Sequence, residues 1–179
     1  VRHMVGHGAR RLLQAGLAAS GTTSPELVEA GVPHFLDHYR ANIAVGSRPW
    51  PGVETALDAL AAAGCRLAIC TNKPVALSEA LVEALGWTQR FHANLGFDSV
   101  PAPKPDAGHV LASIAAAGGR AAQSAFVGDS ITDVRAARAA GVPIVLVSFG
   151  FSDVPPASLE ADRLIDHYDA LLPALAGLA

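Results

Sequence analysis

Phe126-Val127-Gly128-Asp129-Ser130-Ile131-Thr132-Asp133 reads as a short buried strand that ends in Gly-Asp and runs into a helix. Asp129 and Asp133 are thereby set at the carboxyl edge of a sheet, where open α/β sheets bind their ligands. Two carboxylates facing one crevice repel each other unless a cation lies between them. Mg²⁺ suits such a place, because it takes oxygen ligands from one or two carboxylates, from waters and from a substrate phosphate. A plainer reading is local: Asp129 caps a helix starting near Ile131, and Asp133 complements its dipole.

The pattern on either side of this stretch supports a sheet edge. From Val53 onward, helical and strand-like segments alternate. Helices are expected at Val53–Ala63, Val75–Leu85, Ala107–Ala117, Asp133–Ala140 and Tyr168–Leu175, the earlier ones ending at Gly64, Gly86, Gly118 and Gly141. Between them lie apolar runs at Arg66–Cys70, Phe91–Phe97, Ser124–Val127, Pro143–Val147 and Arg163–Ile165. Such alternation predicts an α/β fold, a Rossmann-like parallel sheet with helices on both faces. Residues 1 to about 46 lack strand alternation. Ser24-Pro25-Glu26 marks a helix start there, and Val32, Phe35, Leu36, Tyr39 and Ile43 recur at helical spacing, with Pro33 able to break the helix. Arg48-Pro49-Trp50-Pro51-Gly52 is a rigid turn between the two regions. The expected division is 1–48, helical, and 49–179, the α/β unit.

Bulk properties narrow the function. The 179 residues suit one domain or one domain with a small insertion, and 51% hydrophobic content supplies a core. A net charge of −3 with no Lys/Arg cluster argues against nucleic acid. The longest uncharged stretches, Leu12–Pro25 and Ala139–Ser152, are too short and too rich in Gly or Pro to span a bilayer, so no membrane partner is expected. Cys65 and Cys70 fall in one strand-like run and would face opposite ways. The reading is two reduced core thiols in a cytoplasmic protein.

Two further strand ends carry polar residues. In Thr71-Asn72-Lys73-Pro74, a hydroxyl precedes a helix start, whose free N–H groups attract anions. The alternative is an ordinary cap. In Lys104-Pro105, the proline keeps Lys104 extended and out of the next helix; the alternative is a solvated loop lysine. A hydroxyl, an ammonium and a carboxylate pair, in that order, suit phosphoryl transfer, which depends mainly on positioning and charge stabilisation.

At this point the chain resembles the haloacid dehalogenase superfamily, and within it the bacterial phosphoglycolate phosphatases. Thr71-Asn72-Lys73-Pro74 is similar to the second motif, Lys104-Pro105 to the third and Gly128–Asp133 to the fourth. Trp50-Pro51-Gly52-Val53 resembles the return from a helical cap to the core, and Val5-Gly6-His7-Gly8-Ala9-Arg10 a cap segment. Gly96-Phe97-Asp98 departs from the Gly-Gly-Asp-like stretch usual there. The resemblance implies catalytic roles for Thr71 and Lys104, and phosphate or substrate contacts from Thr71, Asn72, Lys104, His7 and Arg10. It implies Mg²⁺ at Asp129 and Asp133. The implied reaction is hydrolysis of a small phosphorylated metabolite, 2-phosphoglycolate first, through an aspartyl-phosphate intermediate. The first motif, Asp-x-Asp-Gly-Thr, has no counterpart here, since no Asp precedes Asp37. The expectation is therefore an inactive, N-terminally truncated form with a partial cap and without the first, central strand, which would lie between the Arg66–Cys70 and Ser124–Val127 strands. The alternatives are a non-catalytic phosphate- or metal-binding regulatory protein of the same fold, and a phosphatase or mutase for another sugar phosphate.

Overall fold

The computed structural model describes residues 9–178. Two helices come first, α1 (Ala9–Ala19) and α2 (Pro25–Ala41), packed on each other. Ser24 caps α2, its Oγ accepting from the Leu27 amide at 3.3 Å, and Pro25 fills the first turn, where no N–H is needed. Pro33, able to break a helix, does not break this one: α2 runs through it to Ala41.

The alternating region follows as α3 (Val53–Ala62), β1 (Ala68–Cys70), α4 (Val75–Ala84), β2 (Ala93–Leu95), α5 (Ala107–Ala116), β3 (Phe126–Gly128), α6 (Ile131–Ala139), β4 (Ile144–Val147), β5 (Arg163–Ile165) and α7 (Leu171–Ala176). All the strand pairings are parallel. The expected α/β architecture is present, with the strands grouped as β1–β2 and β3–β4–β5. The two groups are not hydrogen bonded to each other, and the break falls between β1 and β3.

The core is organised around β4. Parallel strands covered on both faces read as unbroken apolar runs, and Ile144-Val145-Leu146-Val147 is buried throughout. Its side chains alternate between faces. Val145 and Val147 pack with Ala56 of α3, Ile165 of β5 and Leu171 of α7. Ile144 and Leu146 pack with Val134 and Ala137 of α6 and with Leu159. A third cluster joins the two strand groups: Val110 of α5, Ala136 of α6 and Val142, with Cys70 of β1 and Phe126 of β3 against them. Val127, by contrast, is 38% exposed in β3, a strand with one partner.

Some boundaries shift from expectation. β1 begins at Ala68 rather than Arg66, and the Arg66 guanidinium instead donates to the Ala117 carbonyl at the end of α5. Cys65 then lies before the strand and is exposed, so it is not a core residue. Cys70 is half-buried, and both thiols are free. α6 starts at Ile131, two residues earlier than expected, because Ser130 is its cap. Among the described residues, no helix is long and apolar enough to cross a membrane.

Candidate active site

Thr71, Lys104 and Asp129 each follow the carboxyl end of a strand or precede a helix, and the parallel sheet brings these ends to one edge. The centre of the site is an ion pair: the Lys104 ammonium lies 2.7 Å from Asp133 Oδ1, with the two side chains only 10% and 8% exposed. It also lies 5.3 Å from the centroid of the Phe126 ring. Lys104 is thus not a solvated loop lysine.

Asp133 is held on its other oxygen as well. Oδ2 accepts from the Asp129 amide at 3.1 Å, the Ser130 amide at 3.2 Å and the Ser130 hydroxyl at 2.7 Å. Ser130 and Asp133 cap each other reciprocally, Ser130 Oγ in turn facing the Asp133 amide. Burial raises the Asp133 pKa, but the Lys104 ammonium and these donors outweigh it, leaving the group below its ordinary value. The cap of α6 is therefore Ser130, and Asp129 is released from that local role. Asp129 Oδ2 instead accepts from the Phe151 amide at 2.8 Å, in the loop after β4. Burial raises the Asp129 pKa, the Phe151 amide opposes the rise, and the Asp133 charge adds to it. A carboxylate in that state gains from a nearby cation. Two glycines make room here: a Cβ on Gly128 would run into the Asp133 side chain, and one on Gly150 into Asp129.

The loop after β1 completes the edge. The Thr71 amide donates to the Leu95 carbonyl of β2 at 3.0 Å, and Thr71 Oγ1 accepts from the Lys73 amide at 3.2 Å. Thr71 does not cap α4, because that service comes from Asp98, whose Oδ1 accepts from the Val75 amide at 2.8 Å. Asn72 donates through Nδ2 to the Lys104 carbonyl at 2.8 Å and ties the two loops together, while its buried Oδ1 has no partner among the described residues.

A family model described as haloacid dehalogenase-like hydrolase matches residues 1–141. The chain belongs to that family. Phosphoglycolate phosphatase of Agrobacterium fabrum is 46% identical over 174 residues, covering 97% of this chain and 75% of that protein. Its counterpart in Caulobacter vibrioides is 47% identical over 169 residues, 94% of this chain and 71% of that one. Among solved structures, one described as a predicted phosphoglycolate phosphatase from Haemophilus somnus superposes with a TM-score of 0.88. It is 28% identical and covers 96% of this chain and 79% of that chain.

In this haloacid dehalogenase-like hydrolase, not every expected residue gathers at the edge. Arg10 forms an ion pair with Glu29 of α2. His7 lies outside the described residues. Among the described residues, no three His, Cys, Asp or Glu side chains cluster as a metal site. That does not disfavour Mg²⁺, which needs few protein ligands. Asp129 Oδ1, which accepts no hydrogen bond among the described residues while Oδ2 is held by Phe151, fits it.

The sequence reading missed His109. It is fully buried. Its Nδ1 faces the Lys104 amide at 3.3 Å and its Nε2 the Leu95 carbonyl at 3.2 Å, so one nitrogen accepts and the other donates. Those roles require neutral imidazole, and burial lowers its pKa. Unfolded histidine takes up a proton near pH ~6.5, where the folded group does not. The stability His109 contributes is therefore present above that pH and lost as pH falls towards the folded pKa. The melting temperature should fall more steeply between pH 7.5 and 5.5 in the native protein than in His109→Gln. Equal slopes would show that His109 contributes nothing to acid sensitivity.

Proposed function

We propose that the chain carries the phosphate- and metal-binding residues of a Mg²⁺-dependent phosphatase acting on small phosphorylated metabolites, with 2-phosphoglycolate as the preferred substrate. The observation that carries this reading is the buried Lys104–Asp133 pair beside Thr71 and Asp129 at one sheet edge. The phosphoglycolate phosphatase relatives support the substrate. Lys104 would hold a phosphate oxygen and stabilise charge that develops on it, and Thr71 would hold another oxygen. Asp129 would hold Mg²⁺ directly through Oδ1, with Asp133 acting through a water and through its grip on Lys104. When bound, Mg²⁺ neutralises phosphate charge. Residues 1–48 would form part of a cap over the 49–179 core, and a cytoplasmic setting suits the two unbridged thiols.

Both carboxylates at this edge, Asp129 and Asp133, are held by protein donors. The attacking carboxylate of an aspartyl-phosphate route is thus not found among the described residues. The chain as it stands is expected to bind phosphate without hydrolysing the ester. That also favours a second reading, a phosphate-binding regulatory protein of the same fold.

One assay separates the two readings. Phosphate release from 2-phosphoglycolate, with Mg²⁺ and with EDTA, is measured for the 179-residue chain and for its reading frame extended to the length of the relatives. Metal-dependent release by the extended protein alone is the expected result. Release by neither would leave the regulatory reading, and sustained release by the shorter chain would mean that the nucleophile has been misplaced. Asp129→Asn in the extended protein is expected to abolish the Mg²⁺-dependent rate while leaving the fold intact. An unchanged rate would remove Asp129 from the metal site.

A further inference from the structure

Lys73 has no part in the phosphate chemistry described above, yet it stands two residues beyond Thr71 at the same edge. Its backbone is fixed on both sides: its amide donates to Thr71 Oγ1, and its carbonyl accepts from the Phe97 amide at 3.1 Å. Its side chain, half-buried, reaches away from the sheet to α2. There the ammonium donates to the Tyr39 hydroxyl and lies 4.4 Å from the centroid of the Tyr39 ring. Phe35 stacks on Tyr39 one turn earlier, with ring centroids 6.1 Å apart, and steadies it.

Lys104, Arg10, Arg40, Arg90 and Arg138 are each paired with a carboxylate. Among the described residues, no carboxylate lies within ion-pair distance of Lys73, although the chain has 16 acidic residues for 13 basic ones. An ammonium has three donors, and Tyr39 uses one. Lys104 is already engaged by Asp133 and is given to the phosphate.

We propose that Lys73, held by Tyr39, binds a second anionic group of the phosphorylated substrate, a carboxylate close to the phosphoester. The inference rests on the phosphatase reading and deepens it. Thr71 and Lys73 belong to one short loop, so a phosphate at Thr71 and a carboxylate at Lys73 suit a small phosphorylated acid. The contact also explains why the site would prefer a phospho-acid to a neutral phospho-alcohol, and it gives the substrate contact expected of Arg10 to a residue at the site.

The test uses the 179-residue chain and calorimetric binding of three probes: inorganic phosphate, ethyl phosphate and 2-phosphoglycolate. The native chain should bind 2-phosphoglycolate on the order of 10- to 100-fold more tightly than ethyl phosphate, the range expected for hydrogen bonds to a charged group. Lys73→Met should erase that preference and leave inorganic phosphate unchanged, and Lys73→Arg should restore part of it. Lys73→Gln serves in the same way if the methionine variant does not fold. Equal affinity of the native chain for the two esters would overturn the proposal. So would equal weakening of all three probes by Lys73→Met, which is what a purely structural clip to Tyr39 predicts. If no probe binds the native chain, the phosphate site itself is refuted and this proposal falls with it, an outcome distinct from loss of the preference alone.

Discussion

Replacing Lys104 by methionine, in the protein extended to the length of its relatives, is expected to lower kcat by on the order of 10²–10³, the usual result of removing one donor aimed at developing charge. The stem of the side chain is retained, so packing against Phe126 is disturbed little. Asp133 keeps its three donors from Asp129 and Ser130 and stays anchored at the start of α6. The loss should therefore appear in the rate and only weakly in the affinity for inorganic phosphate, to which Thr71 also contributes. Stopped-flow and steady-state assays of the two proteins decide the matter. Near-native turnover by Lys104→Met would mean that the ammonium only neutralises Asp133.

The second large effect is on stability. Asp133→Ala should destabilise the fold by about 3–5 kcal/mol, because removing one partner of a buried pair strands the other charge. It would also orphan two backbone amides and the Ser130 hydroxyl. For a chain of this size, that corresponds to a fall in melting temperature of roughly 10 °C. In a Lys104→Met background the same substitution should cost clearly less, since no ammonium is then left unpaired. A loss below about 1 kcal/mol in the native background would be the behaviour of an exposed pair, and would contradict the burial seen at this site.

These residues differ in how far the sequence disclosed them. The Phe126–Asp133 stretch could be read directly, because a strand, a Gly-Asp turn and a helix are local patterns. Thr71 and Lys104 followed from the same logic, since each stands where an apolar run stops or a helix begins. The cap of α6 was less legible: neighbouring Asp129 and Ser130 both suit a helix start near Ile131, and only the fold shows Ser130 in that role, with Asp129 drawn away to Phe151. That contact joins residues 22 apart. The Asp98–Val75 cap spans 23, and the Lys73–Tyr39 clasp spans 34. No periodicity records such pairings, because they arise only when separate loops arrive at one edge. His109 escaped for another reason: on helical spacing it looks like any residue of the inward face of α5, and its two partners are backbone groups, which carry no mark in a sequence.

The break between β1 and β3 bears on how the molecule breathes. With no backbone ladder across it, the two strand groups are joined by packing of α5 on α6, by the Val110–Ala136–Val142 cluster and by the Lys104–Asp133 pair. Amide hydrogens of β4, enclosed on both faces, should exchange with solvent only on global unfolding, whereas those of β1 and β2 can exchange through smaller openings. A phosphate held by Thr71 and Lys104, whose loops are already tied together on the β1–β2 side of the break, would stiffen that side, so the slowing of exchange on ligand binding should be greatest in β1 and β2 and slight in β4.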